Sequence, residues 1–327
     1  MSKKQTMREH MTGRLGESSS FSLNPPLPEC LNIEVNNTCN QKCVFCPYHG
    51  LYAPKTIHPA ILSVDFVKEL MCQAYELGIG RKEIGFYLAG EAFLYKGLAE
   101  LIAFAKELGF KYTFLTTNGA LATPERMREV LDAGLDSIRF SVNAPQRELY
   151  RELHGKDDYD IVIRNIKEMH QYITKNHIKV ATSLSCVITK KTIGIEKQMR
   201  EIFEPYFEDI MFIPVMLSRL TNIAEVKEKY EVIDDSDVMF NPDFICPLLF
   251  NTMYINAFGK VVPCCNSYDE EVYFADLKVN PSLKAAWESD GYNKYRKIFL
   301  KGDSDKGTIC ETCLMRKKTV KRFIYDD

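Results

Sequence analysis

The chain of 327 residues has little net charge and no long hydrophobic run. Lys and Arg number 42 against 44 Asp and Glu, which gives a net charge of −2 at pH 7. Proteins that bind nucleic acids or anionic membranes usually have an excess of basic residues, which this chain lacks. We therefore expect no nucleic-acid partner. No stretch reaches the roughly 18 consecutive apolar residues of a membrane-spanning helix, so we expect no membrane segment.

The N-terminus also lacks the apolar stretch of a secretory signal. Met1–Lys4 is polar and basic, so we expect a cytoplasmic protein. Disulfides are rare in that reducing compartment. The 11 cysteines are therefore expected to be metal ligands or buried small side chains, and the protein to be oxygen-sensitive. A hydrophobic content of 46% is enough for one large domain and a smaller module.

Three of the cysteines, Cys39, Cys43 and Cys46, are separated by three and then two residues. Three thiolates on one loop can ligate three irons of a cubic [4Fe–4S] cluster and leave the fourth iron open to a substrate or cofactor. Ferredoxins that only transfer electrons saturate their clusters with four thiolates. The alternative is a structural zinc site, which needs a fourth ligand that His49 could supply.

Apolar periodicity divides the chain after residue 30 into alternating strand-like and helix-like segments. The first strand, near 31–35, ends where the cysteine loop begins. Such alternation predicts a parallel sheet with helices outside it and an active site at the carboxyl ends of the strands. Helices are predicted near 64–77, 97–108, 123–133, 160–176 and 195–204, and further strands near 83–89, 111–117, 137–143, 178–188 and 210–216.

The cysteine loop after a first strand resembles the signature of radical S-adenosylmethionine (SAM) enzymes. In that family the amine and carboxylate of SAM chelate the open iron, and reductive cleavage yields a 5′-deoxyadenosyl radical that abstracts hydrogen from a substrate. The resemblance covers roughly residues 30–216 and implies a partial (β/α)6 TIM-like barrel, in agreement with the six alternating units.

The resemblance also implies residues that contact SAM. Phe45 matches the aromatic position beside the adenine, with ordinary core packing as the alternative. Gly90 and Glu91 stand where the family has Gly-Gly-Glu, which hydrogen-bonds the SAM amine. Ala89 departs from that pattern, and a surface carboxylate in a turn is the alternative for Glu91.

Further SAM contacts are expected where the third and fourth strands end. Thr117 and Asn118 offer short polar groups there, with a simple turn as the alternative. Ser141 and Asn143 project to the same face of a strand. The family commonly uses a hydroxyl and an acid or amide at these positions to hold the ribose and carboxylate of SAM. Arg151 lies where relatives place a carboxylate-binding Arg, with a solvated helix charge as the alternative.

A second group of cysteines lies near the C-terminus: Cys246, Cys264, Cys310 and Cys313, with Gly259 between the first two. It resembles the SPASM/twitch extension of radical SAM enzymes, in which a cysteine pair flanks a hairpin. Four thiolates satisfy one further [4Fe–4S] cluster. Because the additional cysteines of the full SPASM pattern are missing, we expect the shorter twitch form with one auxiliary cluster. Structural zinc is the alternative.

Cysteines outside the two groups are mostly expected to be buried and inert. Cys265 adjoins Cys264, and either could be the ligand, although the spacing from Gly259 favours Cys264. Cys186, on a predicted barrel strand, and Cys265 are candidate catalytic residues that would donate a hydrogen atom to a substrate radical.

The predicted organisation is that of an α/β protein. Residues 1–29 form a flexible tail, 30–216 the partial barrel and 217–243 a charged linker. Residues 244–327 form a small SPASM/twitch-like domain with a β-hairpin and a helix near 282–300.

The auxiliary cluster favours a two-electron oxidation, because such a cluster can accept an electron from a substrate radical. The leading prediction is a radical SAM dehydrogenase of a sugar, aminocyclitol or nucleotide-linked sugar, since twitch relatives act on substrates of this kind. The alternatives are a radical epimerase with a cysteine hydrogen-atom donor, a maturase of a ribosomal peptide, and a non-enzymatic zinc or iron–sulfur protein that senses redox state. The expected partners are a small-molecule or peptide substrate and a reductant such as flavodoxin or ferredoxin.

Overall fold

The computed structural model describes residues 21–319 apart from 52, 54–56, 216–223, 233–237, 242, 268–269, 312 and 314–315. Predictions for residues 1–20, for part of the linker and for the chain beyond 319 lie outside the described residues. Among the described residues, no helix combines the length and the apolar character needed to cross a membrane.

Six parallel strands form the centre of the structure, and each pairs with the next in sequence order. Right-handed crossovers between such neighbours place the connecting helices on one face of the sheet. The predicted α/β fold with a parallel sheet is confirmed, and the sheet does not close into a full barrel. The strands are β1 Cys30–Ile33, β2 Glu83–Phe86, β3 Thr113–Thr117, β4 Ser137–Ser141, β5 Ala181–Ile188 and β6 Asp209–Pro214.

The helices between these strands bury their apolar sides against the sheet. The first begins after Ser63, whose hydroxyl accepts from the Phe66 amide at 3.2 Å, and ends at Gly78 in the left-handed conformation. The sequence did not predict the short helix α4. The six helices are α1 Val64–Leu77, α2 Leu98–Leu108, α3 Pro124–Asp132, α4 Arg147–His154, α5 Tyr159–Asn176 and α6 Glu196–Phe203.

The C-terminal elements extend the same sheet. They are α7 Ala224–Tyr230, β7 Val238–Phe240, α8 Leu248–Asn251, β8 Thr252–Ile255, β9 Lys260–Val262, β10 Ala275–Asp276, α9 Leu283–Trp287, α10 Asp290–Leu300 and β11 Lys317–Thr319. Strand β8 pairs in parallel with β1, and the main sheet has the order β10-β9-β8-β1-β2-β3-β4-β5-β6. The predicted hairpin is therefore joined to the barrel sheet. Strands β7 and β11 form a separate two-stranded sheet.

Two other elements differ from the expectations. The single helix predicted near 282–300 is two helices, because Ser289 caps α10 by accepting from the Tyr292 amide at 3.4 Å. Residues 21–29, predicted as part of a flexible tail, run along the body of the protein. There Trp287 Nε1 donates to the Pro26 carbonyl at 3.0 Å.

Arg296 connects this N-terminal segment to the C-terminal helices and is only 1% exposed. Its Nε donates to the Leu249 carbonyl at 3.1 Å, and its Nη1 donates to the carbonyls of Trp287 at 3.0 Å and Leu23 at 3.4 Å. The guanidinium also lies over the Trp287 ring, 4.4 Å from the centroid. Burial lowers the pKa of Arg296 to about 10. One buried cation therefore holds three separate segments together.

Replacing Arg296 with Met should destabilise the protein, because three carbonyl oxygens, two of them in buried hydrogen bonds, lose their donor. We expect the free energy of unfolding to fall by about 3 kcal/mol in anaerobic urea denaturation at pH 7. Arg147→Met is the control, since Arg147 pairs with Asp157 on the exposed surface. It should cost less than about 0.5 kcal/mol. Equal losses in the two variants would contradict the assignment.

Candidate active site

The loop with the first three cysteines connects β1 to α1 and coils tightly. Cys46 N donates to the Cys43 carbonyl at 3.0 Å, and Gly50 N donates to the Cys46 carbonyl at 3.1 Å. A Cβ on Gly50 would lie 2.3 Å from the Cys46 oxygen and 2.5 Å from the Cys43 oxygen. Glycine is therefore required where this core loop closes on itself.

Burial raises the pKa of the Cys39, Cys43 and Cys46 thiols, that of Cys39 to about 12. Neighbouring thiols add to the shift for Cys39 and Cys43, so the sulfurs lie near one another. Such thiols ionise when a bound cation compensates their charge, as the irons of a cluster do. In the part of the chain that the structure describes, no three metal-binding side chains converge as a single ion requires. Three thiolates on one loop, each of which binds a different iron, form a donor set that fits a cluster with one open iron.

His154, which no sequence motif singled out, holds the core loop in place. It ends α4 and is 1% exposed. Its Nδ1 lies 2.8 Å from Gln41 Oε1 and 3.7 Å from Cys43 Sγ. Its ring stacks on that of Tyr150, with the centroids 3.8 Å apart. The helix missed from the sequence thus supplies a direct contact to a cysteine of the core loop.

The hydrogen bonds around His154 determine which ring nitrogen carries the proton. The Asn143 backbone N–H can only donate, and it lies 3.3 Å from His154 Nε2. Nε2 is therefore the acceptor, and Nδ1–H donates to Gln41. Asn143 Oδ1 accepts from Val187 N at 2.7 Å, so Asn143 Nδ2 donates to Nε2 at 3.1 Å. Burial lowers the pKa of His154 to about 3, which keeps the ring neutral.

Glu91 ties the ends of β2 and β3 together. Its Oε1 accepts from Thr117 Oγ1 at 2.7 Å and from Phe93 N at 3.1 Å, and its Oε2 accepts from Asn118 N at 2.8 Å. Burial raises the pKa of Glu91, while these hydrogen bonds oppose the shift. The surface-carboxylate alternative does not hold, because Glu91 is 3% exposed.

The same strand ends reach the core loop. Asn118 Nδ2 lies 3.8 Å from Cys39 Sγ and donates to Asn40 Oδ1 at 2.8 Å. Gly90 packs against the backbone before the loop, since a Cβ there would lie 2.2 Å from the Asn36 carbonyl oxygen. Gly90, Glu91, Thr117 and Asn118 are thus brought together beside the core loop, and their contact with SAM stays a prediction.

The other predicted SAM contacts have different surroundings. Phe45 is half-buried against the apolar core. Ser141 Oγ lies 3.4 Å from Ser185 Oγ on the next strand. Arg151 is exposed on α4, where its charge acts on Asp157. The solvated-charge alternative therefore describes Arg151, and we withdraw it as a SAM contact.

The face of the sheet opposite the helices is polar along β1, β4, β5 and β6, and it carries the aromatic cluster of Tyr87, Tyr112 and Phe114 along β2 and β3. Its polar side chains alternate with apolar core residues along β1, β4, β5 and β6. These polar residues are Asn32, Ser137, Arg139, Ser141, Ser183, Ser185 and Asp209. Within the described residues, buried polar atoms of Asn32, Ser137 and Ser183 have no hydrogen-bond partner. These three side chains are fully buried, whereas Arg139 and Ser141 are half-buried and can contact a polar ligand.

Cys186 lies on the opposite face of β5. It is fully buried in the apolar core, where burial and then Glu196 of α6 raise the pKa of its thiol. Alternation along the strand places Cys186 with Leu184 toward the helices and Ser183 and Ser185 on the inner face. The prediction of Cys186 as a hydrogen-atom donor is therefore wrong.

The C-terminal cysteines form a second group, in which Cys246 and Cys310 are buried and Cys264 and Cys313 are half-buried. Burial raises the pKa of Cys246 to about 12, and the nearby Cys310 and Cys313 raise it further. On α10, burial raises the pKa of Tyr295 to about 12, with contributions from Cys310 and then Cys264. Cys264 and Cys310 therefore both lie close enough to act on the charge of one phenol. This arrangement supports the four predicted ligands of one cluster, and the ligand set stays a prediction.

Cys265 lies where the two cysteine groups meet. Its carbonyl accepts from the Tyr48 hydroxyl at 3.0 Å. Burial raises the pKa of Tyr48, and Glu34, Cys265, Cys264 and Cys46 raise it further. Tyr48 is therefore close to both groups, and Cys265 remains a candidate hydrogen-atom donor.

Glu34, just after β1, joins the barrel to the C-terminal hairpin. Its Oε1 accepts from Ala89 N at 2.7 Å and its Oε2 from Ala257 N at 2.9 Å. Burial raises the pKa of Glu34 to about 7, although backbone N–H groups, including that of Gly90, oppose the shift. No motif identified Glu34, because its partners are backbone groups far away in the sequence.

Comparison with known families agrees with this geometry. The profile of the Radical SAM superfamily matches residues 33–193, and that of an iron–sulfur cluster-binding domain, SPASM, matches residues 246–314. The chain belongs to the radical SAM superfamily. Its two domains imply SAM, a core [4Fe–4S] cluster and auxiliary iron–sulfur binding as the cofactor set of this radical SAM protein.

Curated relatives include proteins named "Probable GTP 3′,8-cyclase". The one from Saccharolobus solfataricus is 30% identical over 260 residues, which are 73% of this chain and 78% of the relative. The one from Sulfurisphaera tokodaii is 25% identical over 284 residues, which are 76% of this chain and 85% of the relative.

Two solved structures share the fold at low sequence identity. BtrN in complex with AdoMet and 2-DOIA has a TM-score of 0.53 and 17% identity, covering 85% of this chain and 91% of BtrN. Streptococcus suis SuiB bound to S-adenosylmethionine has a TM-score of 0.63 and 16% identity, covering 89% of this chain and 72% of SuiB. These matches support the fold of the radical SAM protein.

Replacing His154 with Phe should loosen the core loop. The ring is kept, but Gln41 Oε1 and the Asn143 N–H lose their partner. We expect SAM affinity of the anaerobically reconstituted protein to fall about tenfold, measured by equilibrium dialysis. His170→Phe is the control, because His170 packs on Tyr206 through an edge contact. Unchanged affinity in the His154 variant would contradict the positioning role.

The raised pKa of Glu34 predicts a pH-dependent stability. The folded state holds the proton more tightly than the unfolded state, whose pKa is near 4.5. Stability from this group therefore falls as pH rises from 4.5 toward 7. The Gln side chain of the Glu34→Gln variant cannot ionise. The free energy of unfolding of the wild type, measured relative to that of the variant by urea denaturation, should therefore fall by about 2 kcal/mol between pH 5 and 7. Parallel pH profiles would refute the shift.

Proposed function

We propose that the protein is a radical SAM dehydrogenase that oxidises a hydroxyl-bearing carbon of a sugar, aminocyclitol or nucleotide-linked sugar. The observation that carries this proposal is the hydrogen bond from the Tyr48 hydroxyl to the Cys265 carbonyl, which joins the segments that carry the two cysteine groups. A substrate on the inner face of the sheet, beside the core loop, would also be near the auxiliary cysteines.

The residues present fit the cofactors of the family. Cys39, Cys43 and Cys46 would hold the core cluster, with SAM beside the Gly90–Glu91 turn. Cys246, Cys264, Cys310 and Cys313 would hold the auxiliary cluster. When bound, SAM and the core cluster would supply the radical chemistry that removes a hydrogen atom from the substrate carbon, and the auxiliary cluster would supply an acceptor for the remaining electron.

The polar inner face supports a hydroxyl-rich substrate. Asn32, Ser137 and Ser183 have buried polar atoms that lack hydrogen-bond partners within the described residues. These atoms are closed to solvent, whereas Arg139 and Ser141 on the same face are half-buried. Their guanidinium and hydroxyl groups can hydrogen-bond a substrate with several hydroxyl groups, which an apolar substrate would not offer. The charged side chains of Arg139 and Asp209 share this face.

The alternative functions are an epimerase, a peptide maturase and a nucleotide cyclase. An epimerase needs a hydrogen-atom donor, and of the two cysteines considered only Cys265 lies near the core loop. The similarity to SuiB concerns the fold alone. A nucleotide cyclase is the second candidate, because relatives named GTP 3′,8-cyclase align with about three quarters of this chain.

A substrate panel would test the proposal. Reconstituted protein would be incubated anaerobically with SAM, dithionite, and C-deuterated cyclitols, aminocyclitols, nucleotide-linked hexoses or GTP. We expect one of the polyols to give a ketone that has lost one deuterium from carbon and one hydrogen from the hydroxyl, with the deuterium transferred to 5′-deoxyadenosine. A GTP-derived product of unchanged mass would favour the cyclase. The absence of any polyol-dependent product across the panel would contradict the dehydrogenase.

Turnover in D₂O separates oxidation from epimerisation. Dehydrogenation should not depend on a thiol, so Cys265→Ala should retain the ketone product. Cys72→Ala, on the outer helix α1, is the matched control. Solvent deuterium on the substrate carbon that disappears in Cys265→Ala would favour an epimerase instead.

A further inference from the structure

One partly buried hydrogen bond joins the core loop to the turn that carries Cys264 and Cys265. Tyr48 follows Cys46 by two residues, and its hydroxyl donates to the Cys265 carbonyl at 3.0 Å across 217 residues of sequence. The donor and the acceptor therefore belong to the two segments that supply cysteines to the two clusters.

The acceptor is part of a tight turn. Ser267 N donates to the Cys264 carbonyl at 3.1 Å, which closes the turn around Cys265. The direction of the Cys265 carbonyl is thus linked to the position of the Cys264 side chain on the same turn. A phenol that holds this carbonyl also restrains the adjacent thiol.

Two other contacts between the β1–α1 connection and the C-terminal hairpin region are less suited to holding the Cys264–Cys265 turn in place. His58 N and Nδ1 lie 2.9 and 3.0 Å from the carboxylate oxygens of Glu270, but the His58 side chain is 81% exposed. Exposed pairs of this kind contribute little to stability. Glu34 holds Ala257 at the tip of the hairpin, before the cysteine turn.

We propose that Tyr48 is the positioning residue that holds the Cys264–Cys265 turn against the core loop and so sets the place of the auxiliary cluster. The role depends on the two cluster sites and not on the identity of the substrate. It extends the proposed function, since electron acceptance from a substrate radical requires the auxiliary cluster to stay near the core site.

Tyr48→Phe tests this role because it removes only the hydroxyl. In reconstituted, substrate-free protein we expect hydrogen–deuterium exchange of the amides at 264–267 to accelerate about tenfold. In a potentiometric titration followed by EPR, the midpoint potential of the auxiliary cluster should shift while that of the core cluster does not. Tyr95→Phe is the matched control, since its hydroxyl donates to the Leu62 carbonyl at the same 3.0 Å.

A second variant separates the hydrogen bond from the packing of the ring. Tyr48→4-aminophenylalanine keeps a donor in the same place and should restore wild-type exchange and potential, even where Tyr48→Phe loses a cluster. Wild-type exchange and potential in Tyr48→Phe would overturn the proposal, as would failure of the donor-bearing variant to rescue. Because no substrate is present, these outcomes are independent of whether the dehydrogenase assay succeeds.

Discussion

Strand β1 is hydrogen-bonded on both edges, to β2 and to β8, and the site depends on this double pairing. Leu31 is in register with Ile84 on one side and Met253 on the other. Parallel strands end at the same edge of a sheet, so the core loop, the Gly90–Glu91 turn and the C-terminal hairpin converge there. The hairpin, expected as a separate module, is thereby built into the barrel.

Buried polar side chains hold these converging segments together through hydrogen bonds to backbone and amide groups. Glu34 and Glu91 accept hydrogen bonds from backbone N–H groups of neighbouring strand ends. His154 is neutral, and its single tautomer links Asn143 to Gln41. Breaking such a hydrogen bond in an interior without water would leave a polar group unpaired, which costs free energy. The protein therefore forms the surroundings of the core loop from its own groups.

The sequence predicted the features that local spacing or periodicity encodes. The cysteine spacing and the alternation of strands and helices identified the core loop, the parallel sheet and the strand ends near Glu91 and Asn118. Cys186 was assigned the wrong role, although period-two alternation with Ser183 and Ser185 already placed it on the other face. Alternation along one strand separates its residues into two faces. The sequence does not say which of these faces the helices cover, and that is known only once the helices have packed.

Long-range contacts account for what the sequence could not predict. His154, Glu34 and Tyr48 act through partners separated by 113, 223 and 217 residues. Nothing in their immediate neighbours distinguishes them from ordinary helix, strand or loop residues. The pairing of β8 with β1 belongs to the same class, since a hairpin motif carries no information about which sheet edge it joins.

The central claim is that one chain holds two iron–sulfur clusters and that the core cluster cleaves SAM. Iron analysis of the anaerobically reconstituted protein, coupled to detection of 5′-deoxyadenosine after reduction, tests it most directly. We predict about eight irons per chain, and about four with SAM cleavage retained in Cys246→Ala. Zinc in place of iron, with no 5′-deoxyadenosine formed, would contradict the account.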